Sequence, residues 1–362
     1  MDLWRAGGAR PIPYGGSMGA VGRTGRAGRA RWRLLALAAA VLALAGCTGP
    51  TPGHPLAARG WHALTGAHGS PHLPRARDED PADDRGATTV EGSGGTPVVA
   101  GGRTPRPKHV VVVVFENKKA NSVIGSRHAP YLTGLAHRGA YLTESYGVAH
   151  PSQPNYLALF SGSTHGVTGD RCPERLHADN LAAQLRAAGD SYASYAEGLP
   201  STGFTGCTAP HYDRAIAPWT DFTSVPAGTQ RRFSAFPRDY ATLPTVSFVL
   251  PNMCHNMHYC SVATGDRWAR RALDPYARWA QTHDSLLLVT FDEDDDTRVN
   301  RIPTILVGQP VRPGRYAEHV DHYTMLRTLE AMYGLRPLGT AADRRPLTDV
   351  FRRPAAHPAV VG

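Results

Sequence analysis

Two apolar runs constrain this chain more than anything else in it, because each ends abruptly in acid. The first is His109 followed by Val110 to Val114 and Phe115, and the next two residues are Glu116 and Asn117. The second is Ser285 to Phe291, followed without a break by Asp292, Glu293, Asp294, Asp295 and Asp296. Short continuous runs of β-branched and leucine residues predict strands buried on both faces, which is the condition of a parallel sheet covered by helices. Carboxylates that begin where such strands stop are therefore expected at the C-terminal edge of the sheet, where open α/β sheets place their sites.

The intervening sequence supports that architecture. Leu132 to Arg138 reads as a short helix and Ala140 to Tyr146 as a strand. Asp179 is the expected cap of a helix running through Ala188. Ser191 to Ala196 and Thr245 to Leu250 read as strands, Asp266 as the start of a helix to about Thr282, and Ile302 to Val307 as a further strand. His322 to Tyr333 carries Met325, Leu326, Leu329 and Met332 on one stripe, with Gly334 at its end. This alternation predicts an α/β domain with a mainly parallel central sheet and helices on both faces.

Composition bears on what lies before His109. The formal charge of +9 suggests a nucleic-acid partner, but seven arginines and one acid precede Leu34, so that stretch carries +6 and the remainder only +3. A nearly balanced remainder gives no electrostatic reason for nucleic acid. The basic start precedes an uncharged run from Leu34 to Ala45, too short to span a bilayer and suited to a signal-peptide core. Leu44-Ala45-Gly46-Cys47 resembles the lipobox of bacterial lipoproteins, which implies an acylated Cys47, a signal peptide over 1–46, and a lipid anchor rather than a transmembrane helix. From Thr48 to Pro107 there are 11 Gly and 9 Pro in 60 residues. Such composition cannot offset its ordering entropy, so 47–107 is expected to be a flexible tether, 108–352 the folded domain and 353–362 a tail. The expected location is the outer face of the membrane, or the exterior.

Apart from Cys47 there are four cysteines, and an even number in an exported chain predicts two disulfides. Proximity favours Cys172–Cys207 and Cys254–Cys260 over the other two connectivities. No C-x-x-C pair occurs, which argues against a zinc site of cysteines.

Carboxylates and an amide converging from two strand ends suit a hard cation, although a run of five acids alone is ordinarily a solvated loop, here with Arg298 and Arg301 to neutralise it. Ser152 opens a helix in His150-Pro151-Ser152-Gln153-Pro154-Asn155-Tyr156. A serine there either caps the helix or exploits its positive end for attack on an incoming phosphate. No G-x-S-x-G elbow exists to support a serine esterase.

Six segments occur in order: Phe115-Glu116-Asn117, His150 to Tyr156, Ser161-Gly162-Ser163, Pro251 to His258, Phe291 to Asp294, and His322-Tyr323 through Arg327-Thr328-Leu329-Glu330. The set resembles the bacterial phosphoesterase family of secreted acid phosphatases and phospholipases C, in particular its actinobacterial acid phosphatases. The resemblance spans Lys108 to Phe351 and implies an alkaline phosphatase-like fold. It implies Ser152 as nucleophile and a divalent metal on Glu116, Asn117, Ser152, Asp292 and Glu293. Oxygen ligands favour Mg, Mn or Ca over Zn. It further implies His150, His258 and His322 around the phosphate, with Asn155 and Asn256 on the substrate side.

The implied activity is a metal-dependent acid phosphatase acting through a phosphoserine on a phosphorylated small molecule or phospholipid headgroup. The alternatives are a phospholipase C-type phosphodiesterase and a weakened phosphate-binding lipoprotein. The last is motivated by Ala215-Ile216-Ala217, which stands where relatives usually carry Lys-His-Asn.

Overall fold

The computed structural model describes residues 104–352. The expected signal peptide, Cys47, most of the expected tether and the expected tail from residue 353 lie outside the described residues. In chain order the elements are β1 (His109–Phe115), α1 (Ala120–Val123), α2 (Pro130–Arg138), β2 (Ala140–Tyr146), α3 (Ser152–Ser161), α4 (Leu181–Ala187) and β3 (Tyr192–Ala196). Then come β4 (Thr208–Ala209), β5 (Tyr212–Asp213), β6 (Gln230–Arg232), β7 (Val246–Leu250), α5 (Val262–Trp279), β8 (Ser285–Phe291), β9 (Thr304–Gly308), β10 (Gly314–Asp321) and α6 (His322–Tyr333).

The main sheet has eight strands in the order β10-β2-β9-β8-β1-β7-β3-β6. β1 lies at its centre, parallel to both β7 and β8. β9 runs antiparallel to both of its neighbours and is the exception in an otherwise parallel sheet.

Alternation along β1 builds the two faces. Val110, Val112 and Val114 join a core with Leu157 and Phe160 of α3, Leu185 of α4 and Leu326 of α6. Val111, Val113 and Phe115 face the other way, onto Leu132 and Leu135 of α2 and Trp268 and Tyr276 of α5. Helices thus cover both faces, as the unbroken apolar strands require.

Helix starts differ from expectation in an informative way. α4 is capped by Asn180, whose side chain accepts from Ala183 N, and not by Asp179. α5 begins four residues before Asp266, with Ser261 as its cap. Asp266 instead lies inside α5 and turns its carboxylate to the amides of Tyr131 and Leu132 at the start of α2. A carboxylate can cap a helix that is not its own, and spacing along the chain does not reveal that. At the far end of α3, Gly162 has φ 75°, and a Cβ there would stand 2.1 Å from the carbonyl oxygen of Leu338. Only glycine lets the end of α3 approach the segment after α6 so closely.

Candidate active site

The register between β1 and β8 sets the geometry. His109 pairs with Ser285 and Phe115 with Phe291, so the two apolar runs end level with one another. Their next residues, Glu116 and Asp292, emerge side by side and are both buried. The turn after β1 is pinned there. Asn117 has φ 46°, its amide donates to Asp292 Oδ1 at 3.0 Å, and its Nδ2 donates to Glu293 Oε1 at 2.6 Å. Asp294 closes its own turn by accepting from Thr297 N at 2.7 Å, and Asp295 pairs with Lys119 at 2.8 Å. The run of five acids is therefore not a solvated face: its first three members are buried.

Ser152 meets this cluster from the start of α3. Pro151 occupies the cap position and makes no capping bond, and Ser152 is the first helical residue. Its hydroxyl is not spent on the helix. Oγ stands 3.1 Å from Glu116 Oε2 and 3.2 Å from Glu293 Oε1, within donating distance of both. Tyr156, one turn on and on the same face of α3, donates its hydroxyl to Glu116 Oε1.

The three implied histidines are here too, in different circumstances. His150 bonds through Nδ1 to Glu293 Oε2 and through Nε2 to the Thr297 carbonyl at 3.0 Å. Burial pulls its pKa down, but the Thr297 carbonyl and Glu293 outweigh this and hold it above the usual imidazole value. His258 lies 2.8 Å from Asn117 Oδ1 and 3.3 Å from Glu116 Oε2, and the Cys254–Cys260 disulfide brackets its loop. His322 is buried at the head of α6, where Nε2 donates to the Asp292 carbonyl at 2.5 Å. Burial holds it below the usual imidazole value, against the pull of the Asp292 carbonyl and Asp321. It braces the end of β8.

Asn155 and Asn256 are placed differently from the other implied residues. Asn155 accepts from the amides of Val148 and Ala149 and donates to the carbonyls of Ala149 and Pro151, so its amide group is used within the loop leading to Ser152. Asn256 accepts from His258 N, and its carbonyl takes the amide of Glu116. Both are fully buried and act as braces for residues that face the cluster. Ala215, Ile216 and Ala217 are buried in the core, and their segment presents no polar side chain to the cluster. Tyr156 and Lys118 were not singled out from the sequence. Tyr156 sits one helical turn from Ser152, a spacing that would have found it. Lys118 is half-buried, with its ammonium on the Asn117 carbonyl at 2.9 Å.

Electrostatically the cluster is overcharged. Burial pushes the Glu116 carboxyl up to about 8, with the bonds from Tyr156 and Ser152 opposing and Glu293 adding to the rise. Burial, then Glu116 and Glu293, push Asp292 well above the usual carboxylate range, and burial also raises Glu293. Asp292 Oδ2 is buried without a hydrogen-bond partner. Among the described residues, no three Asp, Glu, His or Cys side chains are arranged as a ready-made metal centre. The donors nevertheless fit a hard divalent cation: they are oxygen atoms, they carry excess negative charge, and one of them is an orphaned buried lone pair.

The chain belongs to the phosphoesterase family, whose sequence profile matches residues 126–336. It is 46% identical over 256 residues to a phosphatidylinositol-3-phosphatase of Mycobacterium tuberculosis, covering 70% of this chain and 86% of that protein. It is 32% identical over 234 residues to a phosphate-repressible acid phosphatase of Penicillium chrysogenum, covering 58% of this chain and 55% of the fungal protein. Among solved structures, an alkaline phosphatase superfamily protein from Vibrio parahaemolyticus aligns with a TM-score of 0.49 and 14% identity, over 68% of this chain and 72% of that one. Both expected disulfides are formed, with Cα–Cα distances of 5.6 Å for Cys172–Cys207 and 4.7 Å for Cys254–Cys260.

Proposed function

We propose that this chain hydrolyses phosphate monoesters by way of a phosphoserine at Ser152, with a divalent cation held by Glu116, Asn117, Asp292, Glu293 and the Ser152 hydroxyl. The observation that carries the reading is the direction of Ser152 Oγ, which leaves its own helix uncapped and turns to two carboxylates from different strands. What the cation supplies when bound is positive charge, for the phosphate oxygens and for the developing alkoxide.

The chain's own groups divide the remaining work. Glu116 and Glu293 accept from the Ser152 hydroxyl and orient it, and Tyr156 fixes the Glu116 carboxylate from behind. Ser152 passes its proton to the Glu116 or Glu293 carboxylate that accepts its hydroxyl as Oγ forms a bond to phosphorus, and the ester P–O bond opposite it breaks. The departing alkoxide takes a proton, for which the partly exposed His150 and His258 are the candidate donors. Water then bonds to phosphorus as the Oγ–P bond breaks, a proton returns to Ser152 Oγ, and phosphate is released. The positive end of the α3 dipole favours the phosphoryl group throughout. His322 supports the site by holding the Asp292 carbonyl.

The named relatives are phosphatases, which supports monoester over diester cleavage. By similarity to the mycobacterial protein, the substrate is a phosphorylated small molecule, with a phosphoinositide headgroup as first candidate. The disulfides support an oxidising compartment outside the cytoplasm, and the lipobox-like Leu44-Ala45-Gly46-Cys47 supports Cys47 as lipid anchor. The test is turnover of p-nitrophenyl phosphate by the full chain, before and after dialysis against chelator. Turnover lost on chelation and restored by Mg, Mn or Ca is expected. Undiminished turnover after prolonged chelation would remove the metal from this reading, and binding of phosphate without any turnover would favour the weakened lipoprotein.

A further inference from the structure

Gln153 follows Ser152 directly, is fully buried, and is gripped at three atoms. Its amide N donates to Asp170 Oδ1 at 2.9 Å, its Oε1 accepts from Arg171 N at 2.7 Å, and its Nε2 donates to Asp221 Oδ2 at 3.1 Å. These partners fix the orientation of the side-chain amide, since a flip would set donor against donor and oxygen against carboxylate. Asp221 is buried and turns its other oxygen, Oδ1, to Arg214, with Nε at 3.2 Å and Nη2 at 3.1 Å. Arg214 is itself buried and spends its remaining donors on the carbonyls of Thr205, Glu174 and Thr220.

The contacts close into a ring. From Gln153 it runs through Asp170 and Arg171 to Cys172, across the disulfide to Cys207, whose carbonyl accepts from Arg214 N at 2.9 Å, and back through Asp221. A buried Arg–Asp pair is weak evidence for stability, because desolvation offsets most of its attraction. What this one does is fasten the residue beside the nucleophile. Pro151 and Pro154 restrict the backbone around Ser152 but leave the rotation of the first turn of α3 free to be set from outside.

We infer that Gln153, Asp221 and Arg214 form a positioning relay that aims Ser152 Oγ, with Asp221 as its central positioning residue. The inference rests on the reading of Ser152 as nucleophile. None of the three touches the reacting atoms. The relay acts by holding the helix start to the tolerance that in-line attack requires, where a displacement of about 1 Å can lower the rate about 100-fold.

The polarity of the relay gives its test. Gln153→Glu sets a second carboxylate against Asp221. Asp221→Asn leaves one acceptor for two donors. The double variant Q153E/D221N restores the bond between the two side chains with its polarity reversed and keeps the others: the asparagine amide donates to the new glutamate, the glutamate still accepts from Arg171 N, the asparagine oxygen accepts from Arg214, and the net charge is unchanged. With p-nitrophenyl phosphate, each single variant is expected to lower kcat by about 10- to 100-fold with KM within about threefold of wild type. The double variant is expected to recover kcat to within about threefold of wild type. Folded single variants with wild-type kcat would overturn the relay, as would a double variant no better than the worse single one. If a single variant fails to fold, the double variant decides alone, since a folded Q153E/D221N as inactive as Ser152→Ala overturns the proposal. A wild-type chain without turnover would overturn the nucleophile reading and the relay with it, which separates the two failures.

Discussion

Asp266 and Asp292 are both buried aspartates, one inside a helix on one face of the sheet and the other at the end of a central strand. Burial pushes both carboxyls up. At Asp266 the amides of Leu132 and Tyr131 and the field of Arg270 and Arg267 pull back, and both oxygens are bonded. At Asp292 the next contributions, Glu116 and Glu293, push further up, and one oxygen has no partner. A carboxylate buried for the fold arrives with its donors, and one buried for chemistry is left short of positive charge. That difference sets Asp292 of the proposed site apart from Asp266.

The largest effect should come from Ser152→Ala. Its hydroxyl caps nothing, so the variant should melt within a few degrees of wild type while turnover falls by about a thousandfold or more. Acid quenching during turnover should leave phosphate on the wild-type peptide containing Ser152 and none on the variant. A variant keeping a tenth of wild-type turnover would move the nucleophile elsewhere.

The two aspartates should then respond in opposite ways. Asp292→Asn should cut turnover by about 100-fold or more, because a carboxylate that holds positive charge at the phosphate is gone. In chelator its melting temperature should match or exceed that of wild type, since the substitution relieves repulsion among three carboxylates. Saturating Mg, Mn or Ca should raise the wild-type melting temperature by several degrees, about 2.7 kcal/mol at a hundred times Kd, and raise that of Asp292→Asn much less. Asp292→Asn that melts well below wild type in chelator would place Asp292 with the scaffold after all.

Much of this contrast was legible in the sequence, because the apolar strands stop at the acids with no intervening residue. What stayed hidden depends on contacts distant in sequence. Asp266 reads as a helix start until the fold brings the amides of α2 to it. The exposed strand β10 has no apolar alternation, because an edge strand with an outward face needs none. Nothing in the periodicity of β9 reveals that it runs antiparallel. Asn155 and Asn256 sit in the motifs yet spend their amides on loop geometry, and Gln153 matters only because Asp221, far along the chain, turns towards it.

Asp266→Asn should have a smaller effect, confined to stability. The asparagine keeps one acceptor for two helix amides and turns a donor on the other, a loss of about 1–2 kcal/mol. That should lower the melting temperature by about 2–8 °C for a domain of this size and leave kcat per folded molecule unchanged. A loss of kcat without loss of stability would break the division between the two aspartates.

Glu330 sharpens the comparison, since it lies between the two cases. It is buried in α6, and Oε1 accepts from Leu338 N at 2.8 Å, whereas Oε2 has no hydrogen-bond partner and faces the Arg327 guanidinium at 4.0 Å. Burial raises its carboxyl to about 7, against the pull of the Leu338 amide, Arg327 and Arg336. The folded chain therefore holds this proton over a range in which the unfolded chain, with an ordinary value of 4.5, has released it. The sign follows from linkage: the stabilisation is complete below about 4.5 and is lost as pH rises through about 7. Glu330→Gln keeps an acceptor for Leu338 N and has nothing to titrate. The melting temperature of wild type minus that of Glu330→Gln, followed from pH 4 to pH 8, should thus fall between about 4.5 and 7 and level off on either side. Turnover should not follow this curve, because Glu330 supports the chain after α6 and touches none of the strand-end carboxylates. A difference that rises with pH would mean that Arg327 holds Glu330 ionised in the fold, and Glu330 would then join Asp266 as a carboxylate buried with its positive charge supplied.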